Sequence, residues 1–375
     1  MLESIEKLVY EVHNAQTRMV LIVAGGGSRA ISALTEATGA SRTVLEAIVP
    51  YSESAVTNLL GRLPEQLCSD LAARQMAVVA MLRAMEYGEP GTSVIGVSCT
   101  ASLASDRPKR GHHRFHIALQ TDDRTSTWSL TLHKGRRTRL QEEMLTTKTL
   151  LNVVANGCGL DHQLDLDLFD GERVEQIEVM AKPEWRELFL GHIRRVRCGG
   201  GSAKAADSPR AIFSGAFNPI HAGHRRMVQL AQRKLGCTVD SEISITNVDK
   251  PTLDYREIEY RLGQFESSDS VWLTRASTFE EKSGLFPGVT FVVGVDTIRR
   301  IAEVRYYSDD RLACEAAIKR IADLGCRFLV FGRDDNGQFV GLTEADLPDS
   351  LRAICSGVPA DEFRENISST ELRHG

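Results

Sequence analysis

The stretch Ile212-Phe213-Ser214-Gly215-Ala216-Phe217-Asn218-Pro219-Ile220-His221-Ala222-Gly223-His224 decides how the second part of the chain is read. It begins in an apolar run, Ala211 to Ser214, that predicts a buried strand, and it runs into Gly223 to Leu235, whose period predicts a helix. Between them, Gly215 lets the backbone approach a ligand with no Cβ in the way. Pro219 fixes the turn. The helix opening at Ala222 aims its N–H groups and the positive end of its dipole at the loop, which makes an anion site. His221 and His224 are three residues apart and so share a face of the first turn. Two imidazoles in that position can donate hydrogen bonds to a triphosphate and stabilise charge building on the α-phosphate and the bridging oxygen.

Strands and helices continue to alternate beyond this segment. Glu242–Thr246, Val271–Thr274, Thr290–Val293 and Arg327–Phe331 read as strands, with helices at Tyr255–Ser267 and Arg311–Leu324 and a terminal one starting at Thr370. Such alternation predicts an α/β fold with a Rossmann-like parallel sheet, whose ligand sits at the carboxyl ends of the strands.

Three further segments carry phosphate- or ribose-binding chemistry. Lys250, in Asn247-Val248-Asp249-Lys250, and Arg373 supply the positive charge a triphosphate needs, with a solvated surface base as the lesser alternative for each. Ser368, Ser369 and Thr370 form a hydroxyl-rich helix start. Asp296, which follows the strand end at Gly294, is a ribose acceptor or a helix cap, and Arg333 is a phosphate ligand or a surface arginine.

These motifs, in this order, resemble the nicotinate/nicotinamide mononucleotide adenylyltransferases of the HxGH nucleotidyltransferase superfamily. GAFNPIHAGH is similar to their GxFNPxHxGH signature, Phe291–Asp296 to their strand-end GxD, and Ile367–Arg373 to their ISSTxxR. The resemblance implies that His221, His224, Lys250 and Arg373 act in catalysis. It also implies that Gly215, Ala216, Phe217, Asn218, Gly294, Asp296, Arg333, Ser368, Ser369 and Thr370 bind the nucleotide. The implied partners are ATP, arriving with Mg²⁺, and a phosphorylated mononucleotide acceptor. The family's tryptophan after GxD is replaced here by Val304-Arg305-Tyr306-Tyr307, so Tyr306 or Tyr307 is left to stack on the acceptor or to fill the core. Two rivals stay open: a cytidylyltransferase using CTP and another phosphorylated acceptor, and a nucleotide-binding regulator without turnover.

With 375 residues, the chain is long enough for two domains at about 100–200 residues each. The Gly-, Ala- and Ser-rich stretch from Cys198 to Pro209 predicts a linker between domains at 1–197 and 210–375. Upstream, Met19–Ala24 reads as a buried strand and Ser28–Thr38 as a helix after Gly25-Gly26-Gly27. Leu67–Met85 and Thr138–Asn156 read as helices, Ser93–Ser98 as a strand, Arg114–Gln120 with Thr125–Lys134 as an antiparallel pair, and Gln163–Phe189 as a strand and a helix. This mixed α/β domain resembles, more faintly, the CinA C-terminal family of nicotinamide mononucleotide amidohydrolases. Gly25-Gly26-Gly27-Ser28-Arg29 stands where the family has its ESCTGG-like turn, and Val56 where a lysine follows the YS pair; the resemblance thus implies a domain without amidase chemistry. Its remaining roles are sensor, acceptor-binding module or surface for homo-oligomer formation. The triple glycine reads as a phosphate loop or a tight turn. The histidines in Gly111-His112-His113-Arg114-Phe115-His116 read as solvated, without ligand-spaced partners for a metal.

A net charge of −5 with interspersed signs argues against nucleic acid as the main partner. Eight scattered cysteines without a CxxC pair read as thiols in a reducing compartment. With no basic n-region and no apolar run long enough to span a bilayer, we expect a cytoplasmic protein without a membrane partner.

Overall fold

The computed structural model describes residues 2–106, 110–199, 208–335 and 338–364. The chain is mixed α/β and divides into two compact units. Unit 1 holds the chain to Arg186 together with Asp249–Glu257; unit 2 holds Glu187–Val248 and the chain from Ile258 onward.

Unit 1 is built on six strands, β1 (Thr17–Ala24), β2 (Val44–Ile48), β3 (Ser93–Ser102), β4 (His113–Gln120), β5 (Arg124–Leu132) and β6 (Glu175–Met180), in the order β2-β1-β3-β4-β5-β6. The β2-β1-β3 half is parallel and the β3-β4-β5-β6 half antiparallel. Helices α1 (Leu2–Asn14), α2 (Arg29–Glu36), α3 (Glu53–Leu60), α4 (Asp70–Tyr87), α5 (Arg139–Gly157) and α6 (Pro183–Leu190) complete this part of the chain. The run MVLIVA is continuously apolar because β1 is buried on both faces. Met19, Leu21 and Val23 pack with Leu8, Leu34 and Leu150 of α1, α2 and α5. Val20 and Ile22 pack with Val56, Leu60 and Met76 of α3 and α4. Ser52, Ser69 and Thr138 cap α3, α4 and α5 through their hydroxyls.

The segment 249–257 belongs to unit 1 through a buried charge cluster. Arg74 is 6% exposed and binds Asp70, Asp254 and Glu257, while Arg256 binds Asp70 from the other side. Tyr255 donates its hydroxyl to the Asp122 carbonyl and its N–H to Thr125 Oγ1.

Unit 2 carries β7 (Arg195–Gly199), β8 (Ala211–Ser214), α7 (Ala222–Leu235), β9 (Val239–Ser244), α8 (Tyr255–Leu262, whose first turn belongs to unit 1), β10 (Ser270–Thr274), α9 (Phe279–Leu285), β11 (Thr290–Gly294), α10 (Val295–Ile301), α11 (Arg311–Asp323), β12 (Arg327–Phe331), a hairpin of β13 (Arg333–Asp335) and β14 (Gln338–Val340), α12 (Asp349–Arg352) and β15 (Cys355–Val358). Its main sheet runs β15-β12-β11-β8-β9-β10-β7, parallel except for β7. Chain order β8-β9-β10 builds one half and β11-β12-β15 the other, so the direction of winding reverses between β8 and β11. Open α/β sheets bind ligands beyond the carboxyl ends of the strands at that reversal. On one face Phe291, Val293, Phe328 and Val330 pack against Ile298, Ile318 and Ile321.

The seam differs from the one composition suggests. Cys198 and Gly199 pair with β10 as part of β7, so the sheet of unit 2 starts before the Gly-rich stretch, of which residues 200–207 lie outside those described. Gly199 is the last residue of that strand. Among the described residues, no helix is long and apolar enough to cross a membrane.

Candidate active site

The loop between β8 and α7 begins at the carboxyl edge where the winding reverses. Gly215 donates its N–H to the Glu242 carbonyl of β9 at 3.0 Å. A Cβ at Gly215 would lie 2.9 Å from the Phe217 ring, so only glycine lets that ring close over the strand end. Phe217 is 1% exposed, has φ of 46°, and meets Phe213, His224 and Phe265 edge-on, each at 5.2 Å. The Asn218–Pro219 peptide is cis.

His221 stands at the N-cap of α7, and its ring stacks on that of His224 with centroids 3.6 Å apart and planes 24° apart. A Cβ at Gly223 would sit 3.0 Å from His221 Nδ1, which explains the glycine inside HAGH. His224 Nδ1 accepts the His221 backbone N–H at 3.3 Å. The neutral ring therefore carries its proton on Nε2. Burial, then the neighbouring His221, push the His224 imidazole down to about 4, so it is neutral at pH 7. An approaching anion favours the charged ring and so opposes both effects. A groove of about 640 Å³ runs along α7 from Phe217, Ile220 and His224 towards Arg197 and Arg210.

The other residues singled out from the sequence are distributed as follows. Gly294 ends β11 and N-caps α10, and Asp296 lies in that helix's first turn. Arg333, after β12, forms a 2.7 Å ion pair with Asp296, so ribose-type and phosphate-type candidates sit together, bound to each other, on the same edge of the sheet. The Ala216 and Phe217 carbonyls accept from Arg261 at 3.1 Å and Gln264 at 3.0 Å. Asn218 lies in the same loop. Lys250 falls in the segment grouped with unit 1. Ser368, Ser369, Thr370 and Arg373 lie outside the described residues. Tyr307 donates its hydroxyl to the Ile301 carbonyl and packs against the core, whereas Tyr306 bonds to Arg305.

Sequence reasoning missed Gln264, Arg261 and Glu242. Gln264 reaches the loop from 44 positions away, and nothing in the local pattern around it marks it. Glu242 is fully buried under the loop, where Thr274 donates to it and Lys282 pairs with it at 2.7 Å.

In unit 1 the triple glycine takes the second of its two readings, a tight turn, and the exposure expected of the histidines needs correction. The Gly25–Arg29 turn already holds an anion of the chain's own: Glu143 Oε1 accepts from Gly27 N–H at 2.9 Å, Ser28 Oγ at 3.3 Å and Arg29 N–H at 3.4 Å. Such a resident carboxylate takes the place of a phosphate. Glu143→Ala leaves those buried donors without their acceptor and is expected to lower the stability of unit 1 by about 1–3 kcal/mol. The shift of the denaturant midpoint checks this. His113, expected in solvent, is instead 9% exposed and bonds to the buried Glu142 at 2.8 Å. His116 bonds to Ser129 at 2.7 Å. Val56, where the amidohydrolases have lysine, packs in the core, and Tyr51 is exposed.

A protein named "Probable nicotinate-nucleotide adenylyltransferase" from Gloeobacter violaceus is 27% identical over 178 residues, which cover 43% of this chain and 81% of that protein. This chain resembles the nicotinate-nucleotide adenylyltransferases. No protein-family profile matches it. Similar solved structures include competence/damage inducible protein CihA from Agrobacterium tumefaciens, at 23% identity over 41% of this chain and 95% of that one, with a TM-score of 0.34. A competence-damaged protein (CinA) superfamily protein from Escherichia coli is 16% identical over 42% and 90%, with a TM-score of 0.32.

Proposed function

We propose that the protein is an adenylyltransferase that moves AMP from ATP to nicotinate or nicotinamide mononucleotide. The observation that carries this reading is the stacked His221–His224 pair at the start of α7, at the carboxyl edge where the sheet's winding reverses. In the proposed reaction a phosphate oxygen of the acceptor attacks the α-phosphorus in line. The bond from that phosphorus to the bridging oxygen breaks, and pyrophosphate leaves with the electron pair. No covalent intermediate with the enzyme forms. His224 donates from Nε2 to the charge that builds up, and His221 donates beside it. The α7 N–H groups favour the same anion. Ser369 and Arg373 complete the proposed phosphate set.

Among the described residues, no group of three or more His, Cys, Asp or Glu side chains is assembled to hold a metal. In this reading Mg²⁺ arrives as part of the MgATP substrate and needs few protein ligands.

The depressed His224 imidazole gives this reading a pH signature. A bound triphosphate raises the group from about 4, so binding takes up a proton at Nδ1, which then gives up the bond from the His221 N–H. The sign is fixed: affinity rises as pH falls from 7 through the bound-state value and levels off below the free-state one. Calorimetry of ATP binding in buffers of different ionisation enthalpy between pH 5 and 7 is expected to show more proton uptake in wild type than in His224→Asn. Equal uptake in the two would contradict it, because the proton on ATP itself is common to both.

Pyrophosphate release with ATP or CTP, each with nicotinate mononucleotide, nicotinamide mononucleotide or phosphorylated alcohols, tests the function. ATP with a pyridine mononucleotide is expected to give the fastest release. Release only with CTP selects the cytidylyltransferase, and tight ATP binding without release by any acceptor selects the regulator.

A further inference from the structure

The loop that bears the two histidines is held from outside by one face of chain at the end of α8. Ile220 donates its backbone N–H to Gln264 Oε1 at 2.8 Å, and Gln264 Nε2 donates to the Phe217 carbonyl at 3.0 Å. One planar amide thus closes residues 217 to 220 from both ends. Its orientation follows from the partners, since the reverse would set nitrogen against N–H and oxygen against carbonyl. Arg261 Nη1 adds a bond to the Ala216 carbonyl at 3.1 Å, and the Phe265 ring packs edge-on against Phe217 at 5.2 Å. What they hold is unusual backbone. Phe217 has φ of 46°, a region that side-chain-bearing residues rarely adopt, and it persists only where surroundings over-determine it.

We propose that Gln264 is a positioning residue for nucleotidyl transfer: its amide fixes the backbone of 217 to 220 in the pose that stacks His221 on His224. The proposal rests on the adenylyltransferase reading of this loop. Gln264 itself touches no reacting atom. The residue type matters because only a carboxamide presents a donor and an acceptor from one rigid plane. Glutamate at 264 keeps the bond from Ile220 and sets a second acceptor against the Phe217 carbonyl; leucine loses both bonds at similar volume.

The test uses the full chain as wild type, Gln264→Leu and Gln264→Glu, with two readouts. The first is steady-state pyrophosphate release from ATP with nicotinate mononucleotide. Leucine is expected to lower kcat by about 10- to 100-fold with the KM for ATP within about threefold, because mispositioned groups lose transition-state contacts first. Glutamate falls between leucine and wild type. The second readout is the titration of the two imidazoles by NMR. Wild-type His224, pushed down to about 4 by burial and by His221, is expected to titrate there, and in Gln264→Leu its midpoint is expected to move up towards that of an unburied histidine. Wild-type kcat together with wild-type titration in both variants overturns the proposal. So does a lowered melting temperature with kcat per folded molecule unchanged, which marks a merely structural role. If leucine prevents folding, glutamate carries the test. If wild type turns over no acceptor, the adenylyltransferase reading fails, and the titration alone still decides whether Gln264 sets the loop's pose.

Discussion

Replacing His224 by alanine is expected to cut dinucleotide formation by about 10²- to 10³-fold while leaving the fold intact, the usual cost of losing one preorganised donor to developing charge. Every contact of the ring serves its orientation. Nδ1 is engaged by the His221 N–H, one face stacks on His221, and Phe213 and Phe217 lie at 5.7 and 5.2 Å. This geometry assigns the proton to Nε2 and keeps the ring neutral until an anion arrives. The effect belongs in kcat, with ATP affinity changed much less, because the donor meets charge that grows during transfer. His224→Asn retains a donor at shorter reach and is expected to keep part of the rate. Steady-state kinetics on both variants, with circular dichroism to verify folding, checks the claim. A loss below threefold in the alanine variant would remove His224 from the chemistry.

A second large effect is expected in stability rather than rate. Arg74→Met should lower the stability of unit 1 by about 3–5 kcal/mol, the range for breaking one side of a buried ion pair. Arg74 and Asp254 side chains are 7% and 3% exposed, and Arg74 also answers Asp70 at 2.9 Å and Glu257 at 3.9 Å. Methionine fills much of the volume and leaves Asp254 buried with no counter-charge. The companion change Asp254→Asn removes the stranded charge, so the double variant is expected to recover a good part of the loss. Denaturant unfolding of the four proteins measures this as a cycle. Additive losses would mean that the pair is not coupled.

Much of the fold was legible because its signals are local. The unbroken MVLIVA run announces a strand covered on both faces, and the alternation after Ala211 announces a parallel sheet. The Gly215–His224 loop was legible for the same reason, since strand, turn, cap and histidine pair lie within fourteen residues from Ala211. What stayed hidden is non-local. β7 is short and charged, Arg195-Val196-Arg197-Cys198-Gly199, and becomes a strand only by pairing with β10. Glu143 reaches Gly27 across 116 positions and fills a turn that in isolation invites a phosphate. His113 alternates along a strand as a solvated residue would, yet faces Glu142, which lies 29 positions on and is itself buried. Asp254, Tyr255 and Arg256 look like the start of an ordinary surface helix, and the groups that claim them for unit 1 are Asp70 and Arg74 on α4 and the Thr125 hydroxyl on β5. Gln264 gives no signal because its function is set by two backbone groups it meets only in the folded chain.

The central claim is most directly tested by incubating the purified protein with MgATP and nicotinate or nicotinamide mononucleotide and identifying the products by mass spectrometry, with His224→Ala alongside. The account predicts a dinucleotide and pyrophosphate in equal amounts from wild type and at most about a hundredth as much from the variant. Absence of any dinucleotide from wild type, with ATP recovered intact, would contradict it.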